Sequence, residues 1–394
     1  MMHPTPKNES HRSRSECLRT DLIGWEIGPY HSSLPAPMKL RLVLDGEIIV
    51  SGSVETGFLH KGLEKAIEKH DWNASIAYSD HLDPEAAIYG ELALCLAVEE
   101  IAGIDVPARA VSIRVILSEL TRLSAHMLYL VNVSKAVGAE TLVHYVLRDR
   151  ERILDLFELL TGARFSINFL RFGGVSADVT EGFIERVLEV CDLIRIRIKE
   201  YNDLLTFNNT FLKRTAKMGI LSAELVNRFG ITGSNARAAG VTFDVRKAHP
   251  YLSYKSLDFR VPVGRGTDGV LGDSHDRFLL KLLEMTESLE ILKHVAETIP
   301  SGAFLNRQIL PEAGAEDYRI KVPSGEAYTR VESSRGMISC HVISEGGPKP
   351  SRIQFHTPTT AALMALPEVL VGIRIEDLPV LLASLDLSIA EADR

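Results

Sequence analysis

Apolar and polar residues alternate near both ends of the chain. The stretch "MKLRLVLDGEIIVSGSVETGFLH", residues 38–60, alternates on either side of the turn "DGE", a pattern typical of a β-hairpin with one covered face. After Pro311 the runs "EAYTRVES", "GMISCHVIS" and "SRIQFHT" have the same short strand pattern. These patterns predict a small sheet at each end of the fold.

Helical spacing fills the middle of the chain. Five stretches between Lys61 and about Phe207 have helical periodicity, and the third and fourth are long. Because the short joint "VGAE" connects those two, we expect them to pack as antiparallel neighbours in a bundle. Frequent glycines then predict a loop region from about residue 208 to residue 270, followed by one more amphipathic helix.

The order sheet, helical bundle, sheet indicates an α+β fold built around a central bundle of long helices. The chain divides accordingly into a flexible polar tail (1–22), a small N-terminal β region (23–60), the helical bundle (61–207), a loop region with a long helix (208–299) and a C-terminal α/β region (300–394) that ends in a buried tail.

Composition and charge exclude several classes of protein. The chain of 394 residues is 45% hydrophobic and carries a net charge of -8, which argues against a nucleic-acid partner. Its four cysteines are far apart without a C-x-x-C pair, so neither a disulfide framework nor a cysteine metal site is expected. No run of about 18 apolar residues is present, so we expect no transmembrane segment of its own.

Histidines and glycines give no self-contained site. The 13 histidines include no H-x-x-x-H or H-E-x-x-H pair, which favours surface or hydrogen-bonded histidines over a zinc site. The stretch "GVLGDSHDR" has neither the spacing of a phosphate-binding loop nor its strand-to-helix context. The last residues are more informative, because the apolar run "EVLVGIRIEDLPVLLASL" leads Asp386, Glu391, Asp393 and Arg394 to the edge of a core.

A series of motifs runs in family order from about residue 26 to the last residue. They include "GPYH", "GFLHKGLEK", "IRVILSELTRLSAH", "RFGGV", "GITGSNARAAGVTFDVRKAHPY", "GDSHDR", "SGEAYTRVESSRG", "PSRIQFHTP" and the terminal "SLD....E.DR". Together they resemble the D subunit of the respiratory NADH–quinone oxidoreductase, complex I. That family shares its fold with the large subunit of nickel–iron hydrogenases, and the terminal region is about as similar to the membrane-bound hydrogenases.

The two related families differ in the ligands that the pocket offers. A nickel–iron centre needs four thiolates from two C-x-x-C pairs. The corresponding positions here are Asp83, Ala86, Ser388 and Glu391, so no such centre is expected and hydrogenase activity is disfavoured. The resemblance implies instead that the tail forms the floor of a pocket that has lost its metal, its acidic residues paired with arginines such as Arg394.

The resemblance also implies a function for this pocket. In the family, the D subunit encloses a quinone head group beside an iron–sulfur cluster carried by a partner subunit. We expect no cofactor bound by this chain itself, with quinone as the candidate acceptor. The residues expected to meet a quinone or a proton are His31 and His81, and those expected to shape the cavity are Asp83, Arg164, Arg171, Asp386 and Glu391.

Several pocket positions depart from the family pattern. The second histidine of the "GPYH" loop falls on Pro35, the quinone-contacting tyrosine on Pro84 and the aspartate that pairs with the histidine on Ala136. The histidine near the cluster falls on Ser166, and an arginine expected beside the cluster is His81. The usual route of protons to the quinone is therefore altered, because proline and alanine neither titrate nor donate from a side chain.

Two functions follow from this pattern. In the first, the chain is a divergent D subunit that forms the quinone-side cavity of a membrane-associated electron-transfer complex. Its expected partners are a small iron–sulfur subunit, a protein like the C subunit of complex I, and a membrane-embedded subunit, at the cytoplasmic face of the bacterial inner membrane. In the second, the chain is a non-catalytic scaffold paralogue with a degenerate pocket.

Overall fold

The computed structural model describes residues 22–306 and 320–394. The polar tail expected over residues 1–22 therefore lies outside the described residues except for Leu22, which begins the first strand. Among the described residues, no helix combines the length and the apolar composition that crossing a membrane requires.

The N-terminal sheet contains the predicted hairpin and one further strand. Its three strands are antiparallel in the order β1-β2-β3, and Leu40 of β2 lies opposite Val54 of β3. Leu40, Leu42 and Leu44 of β2 are buried, so the alternation of the sequence corresponds to one covered face. The strands are β1 (Leu22–Ile27), β2 (Lys39–Asp45) and β3 (Ile48–Glu55).

The helical middle has the predicted long pair at its centre. The longest helix begins after Pro107 and ends at Gly138, whose φ of +81° lies in the left-handed region that glycine adopts without strain. The next helix follows two residues later and packs against it. The elements are α1 (Leu63–Lys69), α2 (Trp72–Ser79), α3 (Ile88–Ala102), α4 (Ala108–Val137), α5 (Glu140–Thr161), a two-stranded ribbon of β4 (Leu170–Arg171) and β5 (Gly174–Val175), and α6 (Phe183–Leu205).

The prediction of a loop region from about 208 to 270 is wrong in part. Four short helices lie there: α7 (Asn209–Thr215), α8 (Ala223–Phe229), α9 (Gly233–Ala238) and α10 (Val245–Ala248). Three of them are started by the side chain of Asn208, Ser222 or Asp244, which accepts a backbone N–H of the first turn. Gly230, read from the sequence as a loop residue, ends α8. The predicted amphipathic helix follows as α11 (Ser274–Glu297).

The C-terminal region consists of an antiparallel sheet followed by three helices. The sheet has the order β6-β7-β8, as the three alternating runs predict. Its strands are β6 (Ser324–Glu332), β7 (Met337–Glu345) and β8 (Arg352–His356), and the helices are α12 (Pro358–Val369), α13 (Leu378–Ser384) and α14 (Ile389–Asp393). The predicted α+β fold is confirmed.

The two ends of the described chain share one hydrophobic core. Leucines of β2 pack in the same cluster as residues of α12 and α13, apart from the larger core of the bundle. Ile49 of β3 also exchanges backbone hydrogen bonds with the segment after α12, donating to Ile373 at 2.9 Å and accepting from Gly372 at 2.8 Å. This packing holds the C-terminal helices against the N-terminal sheet.

Candidate functional site

Arg335 occupies the tight turn between β6 and β7. The turn is closed by a 2.7 Å bond from the N–H of Ser333 to the carbonyl of Gly336, and the Ser333 hydroxyl accepts the N–H groups of Arg335 and Gly336 at 3.2 Å. A serine that binds the backbone two residues ahead is a standard way of closing such a turn. Only 5% of the Arg335 side chain is exposed, so its guanidinium is held inside the protein.

The guanidinium of Arg335 joins three acidic residues from two distant parts of the chain. Its two terminal nitrogens donate to the carboxylates of Asp83 and Glu85. Its Nε donates to the main-chain carbonyl of Asp386 at 3.0 Å and lies 3.5 Å from the carboxylate of that residue. Because a buried charge is costly unless it is paired, this cation accounts for the burial of Asp83 and Asp386.

The C-terminal tail reaches the same place. The hydroxyl of Ser388 donates to the second oxygen of Asp83 at 3.0 Å, and the backbone N–H of Thr359 donates to Glu391 at 3.0 Å. Glu391 is completely buried, and its other carboxylate oxygen has no hydrogen-bond partner among the described residues. Burial and the nearby negative charge of Asp83 raise the pKa of Glu391 to about 8. This carboxyl group is therefore mostly protonated at neutral pH.

Lys281 of α11 lies behind Asp386. Its ammonium donates to the Asp386 carboxylate at 2.7 Å and to the Ser334 carbonyl at 2.9 Å, and it approaches Nδ1 of His126 at 3.5 Å. Burial disfavours the charged form of Asp386, but Lys281 and Arg335 outweigh that effect and hold its pKa below the usual range. Asp386 is therefore an ionised carboxylate between two cations.

A cavity of about 380 Å³ opens beside this cluster. Its volume falls within the range of small-molecule sites, roughly 300–1,000 Å³. Its walls come from the loop before β2, the loop before α3, the end of α4, the β6–β7 turn, α13 and the tail. The lining residues are Ser32, Ser33, Leu34, Pro35, Glu85, Asn132, Lys135, Ala136, Arg335, Pro379, Leu382, Ala383, Asp386 and Leu387.

The residues present do not fit a nickel–iron centre. The four positions that would supply thiolates carry two carboxylates, one hydroxyl and the methyl group of Ala86. Asp83 is already bound by Arg335 and Ser388. Among residues 22–306 and 320–394, no group of three or more His, Cys, Asp or Glu side chains could hold a metal ion. No metal chemistry is therefore assigned to this pocket.

The structure separates the expected site residues into two sets. Asp83, Asp386 and Glu391 lie together around Arg335, and two of the three are bound by it directly. His31 is exposed and begins the loop that lines the cavity, where its Nδ1 accepts the N–H of Ser33 at 3.2 Å. Of these four residues, Asp386 alone lines the cavity of about 380 Å³; Asp83 and Glu391 belong to the cluster around Arg335, and His31 precedes the lining residue Ser32.

Arg164, Arg171 and His81 have other surroundings. Arg164 pairs with carboxylates of α5, including Asp155 at 3.3 Å. Arg171 donates to carbonyls of its own turn, those of Asn168 at 2.9 Å and Leu170 at 2.6 Å. His81 is exposed, and its carbonyl accepts from Lys61. None of the three lines the cavity of 380 Å³.

Four of the five positions that depart from the family pattern lie in the walls of two neighbouring spaces. Pro35 and Ala136 line the cavity, whereas Pro84 and Ser166 line a narrow cleft of about 30 Å³ that also contains Arg164. Glu85 lines both spaces. The departures therefore change adjoining walls, and those at Pro35 and Ala136 remove titratable groups from the cavity itself.

The pairing expected for Arg394 is wrong. Its guanidinium binds Glu64 of α1 at 3.1 Å rather than an acidic residue of the tail. Asp393 instead accepts backbone N–H groups of Gly57 and Leu59 at 2.7 and 2.9 Å. The last two residues thus fasten the tail to the segments after β3, while Arg335 neutralises the cavity carboxylates.

Sequence reasoning missed the residues at the centre of the cluster. Arg335 lies within the motif "SGEAYTRVESSRG", and Lys281 lies on the amphipathic α11, yet no sequence pattern predicts that either reaches the tail. Arg335 could have been predicted from two features of the sequence. Several buried acidic residues require a cation as a partner, and the Ser-Ser-Arg-Gly turn between two strands carries an arginine. For Lys281, the signal is a lysine among the buried positions of a helix.

A larger groove of about 540 Å³ lies between α6 and α11. Its walls include Ile198, Leu279 and Leu283, with the basic residues Arg195 and Lys199 at its side. It contains none of the expected site residues and none of the cluster around Arg335. The acidic and basic side chains around the tail therefore lie beside the smaller cavity of about 380 Å³.

Comparison with known proteins identifies the family. The family model described as "Respiratory-chain NADH dehydrogenase, 49 Kd subunit" matches residues 136–394. The NADH-quinone oxidoreductase D subunit numbered 2 of Chloroflexus aurantiacus is 36% identical, with 95% of each chain covered. The corresponding D subunit of Desulforamulus reducens is 38% identical, with 95% of this chain and 99% of that protein covered.

A solved structure agrees with these relatives. A chain of the membrane-bound sulfane sulfur reductase, an archaeal respiratory membrane complex, superposes with a TM-score of 0.89 at 32% identity, covering 96% of this chain and 100% of that one. The fold and the relatives along nearly the whole chain indicate the same family, and the absence of cysteines at the four pocket positions fits it. The chain therefore belongs to the family of the 49-kDa subunit of respiratory-chain NADH dehydrogenase, the D subunit of the NADH–quinone oxidoreductases.

Proposed function

We propose that this chain forms the cavity in which a membrane respiratory complex reduces its electron acceptor. The observation that carries the proposal is the open cavity of about 380 Å³ against the Arg335 cluster. It lies between the two chain ends, where the related hydrogenases would hold a metal. Because the cavity is not filled by Pro35 or by other side chains, a small acceptor has room to enter.

A quinone head group is the acceptor that we favour. The most similar relatives named above are subunits of NADH-quinone oxidoreductases. The cavity wall also provides donors for two carbonyl oxygens, including the amide of Asn132 and the ammonium of Lys135 at the end of α4. Leu34, Leu382 and Leu387 provide apolar surface for a ring. Reduction requires electrons, which an iron–sulfur cluster of a partner subunit supplies in this proposal.

The expected roles of the histidines remain part of this proposal. His31 begins the loop whose following residues line the cavity, so it can exchange protons with an acceptor at the cavity mouth. His81, Arg164 and Arg171 belong to the adjoining face, and we propose that they meet the partner that carries the cluster. Asp83 and Glu391 shape the floor through their bonds to Arg335 and Thr359.

The proposed partners follow from the family. They are a small iron–sulfur subunit, a protein like the C subunit of complex I, and a membrane-embedded subunit. With them, the chain would sit as a peripheral subunit at the cytoplasmic face of the bacterial inner membrane. The archaeal membrane complex to which the solved relative belongs supports association with a membrane.

A sulfane sulfur compound is a second candidate acceptor. The solved relative belongs to a sulfane sulfur reductase, and the cavity here lacks titratable groups at Pro35 and Ala136. Lys135 at the cavity wall suits a chain of sulfur atoms that ends in a negative charge. The same cavity would then take a different acceptor with the same source of electrons.

The experiment that tests the proposal fills the cavity in the intact complex. Ala136 lines the cavity at the end of α4, and Ala108 is exposed at the opposite end of the same helix. In the purified complex we expect Ala136→Phe to abolish reduction of a short-chain quinone or of polysulfide, whereas Ala108→Phe leaves the rate unchanged. His31→Ala is expected to lower the rate without preventing assembly.

The outcomes separate the candidate functions. Turnover with quinone supports the leading proposal, and turnover with polysulfide alone supports the second candidate. The scaffold function is supported instead if the correctly assembled complex reduces neither acceptor. It is also supported if the Ala136→Phe complex reduces the acceptor at the wild-type rate.

A further inference from the structure

A line of three neighbouring side chains runs from the cavity wall into the bundle. Asp386 lines the cavity, and its carboxylate oxygen lies 2.7 Å from Nζ of Lys281. On the other side of the ammonium, Nδ1 of His126 lies at 3.5 Å. The side chains of Lys281 and Asp386 are 2% and 7% exposed. The ammonium is therefore buried beside Asp386, and Asp386 lines the cavity.

Lys281 is the buried cation of this cluster that can release a proton. Arg335 is the other cation bound to Asp386, and a guanidinium stays protonated in proteins. Burial lowers the pKa of Lys281, while the negative charges of Asp386 and Glu284 oppose that effect. A buried lysine beside a carboxylate is a recognised source of acid–base chemistry.

His126 is the neighbour of Lys281 on α4. Its Nε2 lies 2.9 Å from Glu284 on α11. Although burial opposes the effect, Arg237 and His126 hold the pKa of Glu284 well below its usual value, so that carboxylate can only accept a hydrogen bond and Nε2 carries the ring proton. Burial and the charge of Lys281 lower the pKa of His126 to about 4. The ring is therefore neutral, and its Nδ1 faces the Lys281 ammonium as a hydrogen-bond acceptor.

The charged and titratable groups around Lys281 come from every neighbouring element. Arg335 faces it from the β6–β7 turn, His126 and Tyr129 from α4, Glu284 from its own helix and Asp386 from the tail. The Lys281 ammonium lies 5.2 Å from the centre of the Tyr129 ring. Among these groups, Asp386 alone both contacts the ammonium and lines the cavity.

The backbone at Asp386 is held in an uncommon conformation. Its φ of +53° lies in the left-handed region, which is strained for a residue with a side chain. The bond from Arg335 to the Asp386 carbonyl and the bond from Lys281 to its carboxylate support this conformation. Strain of this kind accumulates at functional sites, where it fixes the direction of a side chain.

We infer that Lys281 supplies protons through Asp386 to the acceptor reduced in the cavity. This inference rests on the proposed function and names a proton route that does not use the altered positions Pro35, Pro84 and Ala136. It gives Lys281 the role of proton donor, and Asp386 the role of the group that touches the acceptor.

Protons and electrons balance for a quinone acceptor. Two electrons, delivered one at a time by an iron–sulfur cluster of a partner, and two protons convert the quinone to a quinol. An N–H bond of the Lys281 ammonium breaks as an O–H bond forms on Asp386, and that proton then forms an O–H bond on the reduced carbonyl oxygen. Asp386 returns to a carboxylate and Lys281 becomes a neutral amine. A proton from bulk solvent, relayed by water in the cavity and by Asp386, reprotonates the amine before the second transfer, so that both protons of the quinol come from solvent.

The test compares two substitutions of Lys281 in the purified, intact complex. Lys281→Arg keeps a positive charge beside Asp386 but cannot release a proton, and Lys281→Ala removes both. General acid catalysis typically contributes about 10²–10⁴-fold, so we expect Lys281→Arg to lower kcat for quinone reduction by roughly 100-fold while KM changes little. The solvent deuterium isotope effect on kcat should rise, and methylammonium should partly restore the rate of Lys281→Ala.

Lys293 provides the matched control, because it is a partly exposed lysine on the same helix. We expect Lys293→Arg to have the wild-type rate and isotope effect. A wild-type rate in Lys281→Arg, or an unchanged isotope effect without rescue of Lys281→Ala by the amine, would overturn the proton route while leaving the proposed function intact. Failure of the wild-type complex to reduce any acceptor in this cavity would overturn both.

Discussion

The hydroxyl of Ser388 donates a 3.0 Å hydrogen bond to the carboxylate of Asp83, across 305 residues of chain. In the related hydrogenases these two positions carry thiolates of different C-x-x-C pairs. Here Arg335 completes the contact by binding Asp83 and Asp386 together. A buried ion cluster thus joins the segment before α3 to the C-terminal tail, and the cavity opens along its side.

Removing Arg335 should strongly destabilise the chain. In Arg335→Met the carboxylates of Asp83 and Asp386 lose a buried partner, and the loss of one partner from a buried ion pair typically costs about 3–5 kcal/mol. Arg228→Met is the matched control, because Arg228 pairs with Glu368 at the surface, and we expect it to cost about 1 kcal/mol or less. Chemical denaturation of the full chain measures both. Equal free energies of unfolding for the two variants would contradict a stabilising role for the cluster.

The protonation of Glu391 predicts a pH dependence of stability. Its native pKa of about 8 exceeds the ordinary value of 4.5. Between these values the native state holds a proton that the unfolded state has released, so the stability from this group is fully present below about 4.5 and is lost as pH rises toward 8. The slope contributed by this group is about 1.4 kcal/mol per pH unit.

Glu391→Gln should remove that part of the slope, because glutamine resembles the protonated acid and does not titrate. Free energies of unfolding at several pH values between about 5 and 8 test this expectation, with Glu140→Gln at an exposed position as the control. If Glu391→Gln retained the wild-type slope, Glu391 would not be protonated in the native state.

Gly233 should tolerate no side chain, because it touches the turn that carries Arg335. An ideal Cβ at Gly233 would lie 2.1 Å from the Arg335 carbonyl oxygen, and the φ of Gly233 is +71°. Gly230 has a similar φ of +66° with nothing within 4 Å of its Cβ position. We therefore expect Gly230→Ala to cost about 1–2 kcal/mol for the left-handed backbone and Gly233→Ala to cost about 1–3 kcal/mol more for the overlap.

Thermal and chemical unfolding of the two glycine variants distinguish strain from overlap. Equal costs would indicate that the β6–β7 turn moves freely and does not position Arg335.

Restoring the family's titratable pair should increase proton delivery to a quinone. Pro35 and Ala136 line the same cavity, and the resemblance implies that they occupy the positions of the family's histidine and aspartate. We expect the double variant Pro35→His with Ala136→Asp to raise the rate of quinone reduction by the intact complex above wild type, most clearly at high pH where protons are scarce. Each single variant serves as a control. A rate below that of both single variants would show that the two side chains do not act together here.

The resemblance of the sequence to a known family is sufficient to place the ends of the chain together. The alternation of Leu40, Leu42 and Leu44 also predicts the covered face of the N-terminal sheet, because strand periodicity reports burial directly. By contrast, the caps at Asn208, Ser222 and Asp244 start helices too short for periodicity to reveal.

Sequence patterns do not predict which side chains pair with the buried charges. Arg394 is adjacent to the acidic tail along the chain but reaches Glu64, while Arg335, 51 residues before Asp386, reaches that residue. Which cation approaches which acid depends on the turn between β6 and β7 and on the packing of α11. Neither relationship leaves a periodic signal in the sequence.

A map of the intact complex with an acceptor analogue bound would locate the site of reduction without relying on rates. We predict density for the analogue between the Pro35 loop and the end of α4, in contact with Asp386. Density for the analogue elsewhere in the complex, with this cavity filled by a partner's side chains, would contradict the assignment of the cavity as the acceptor site.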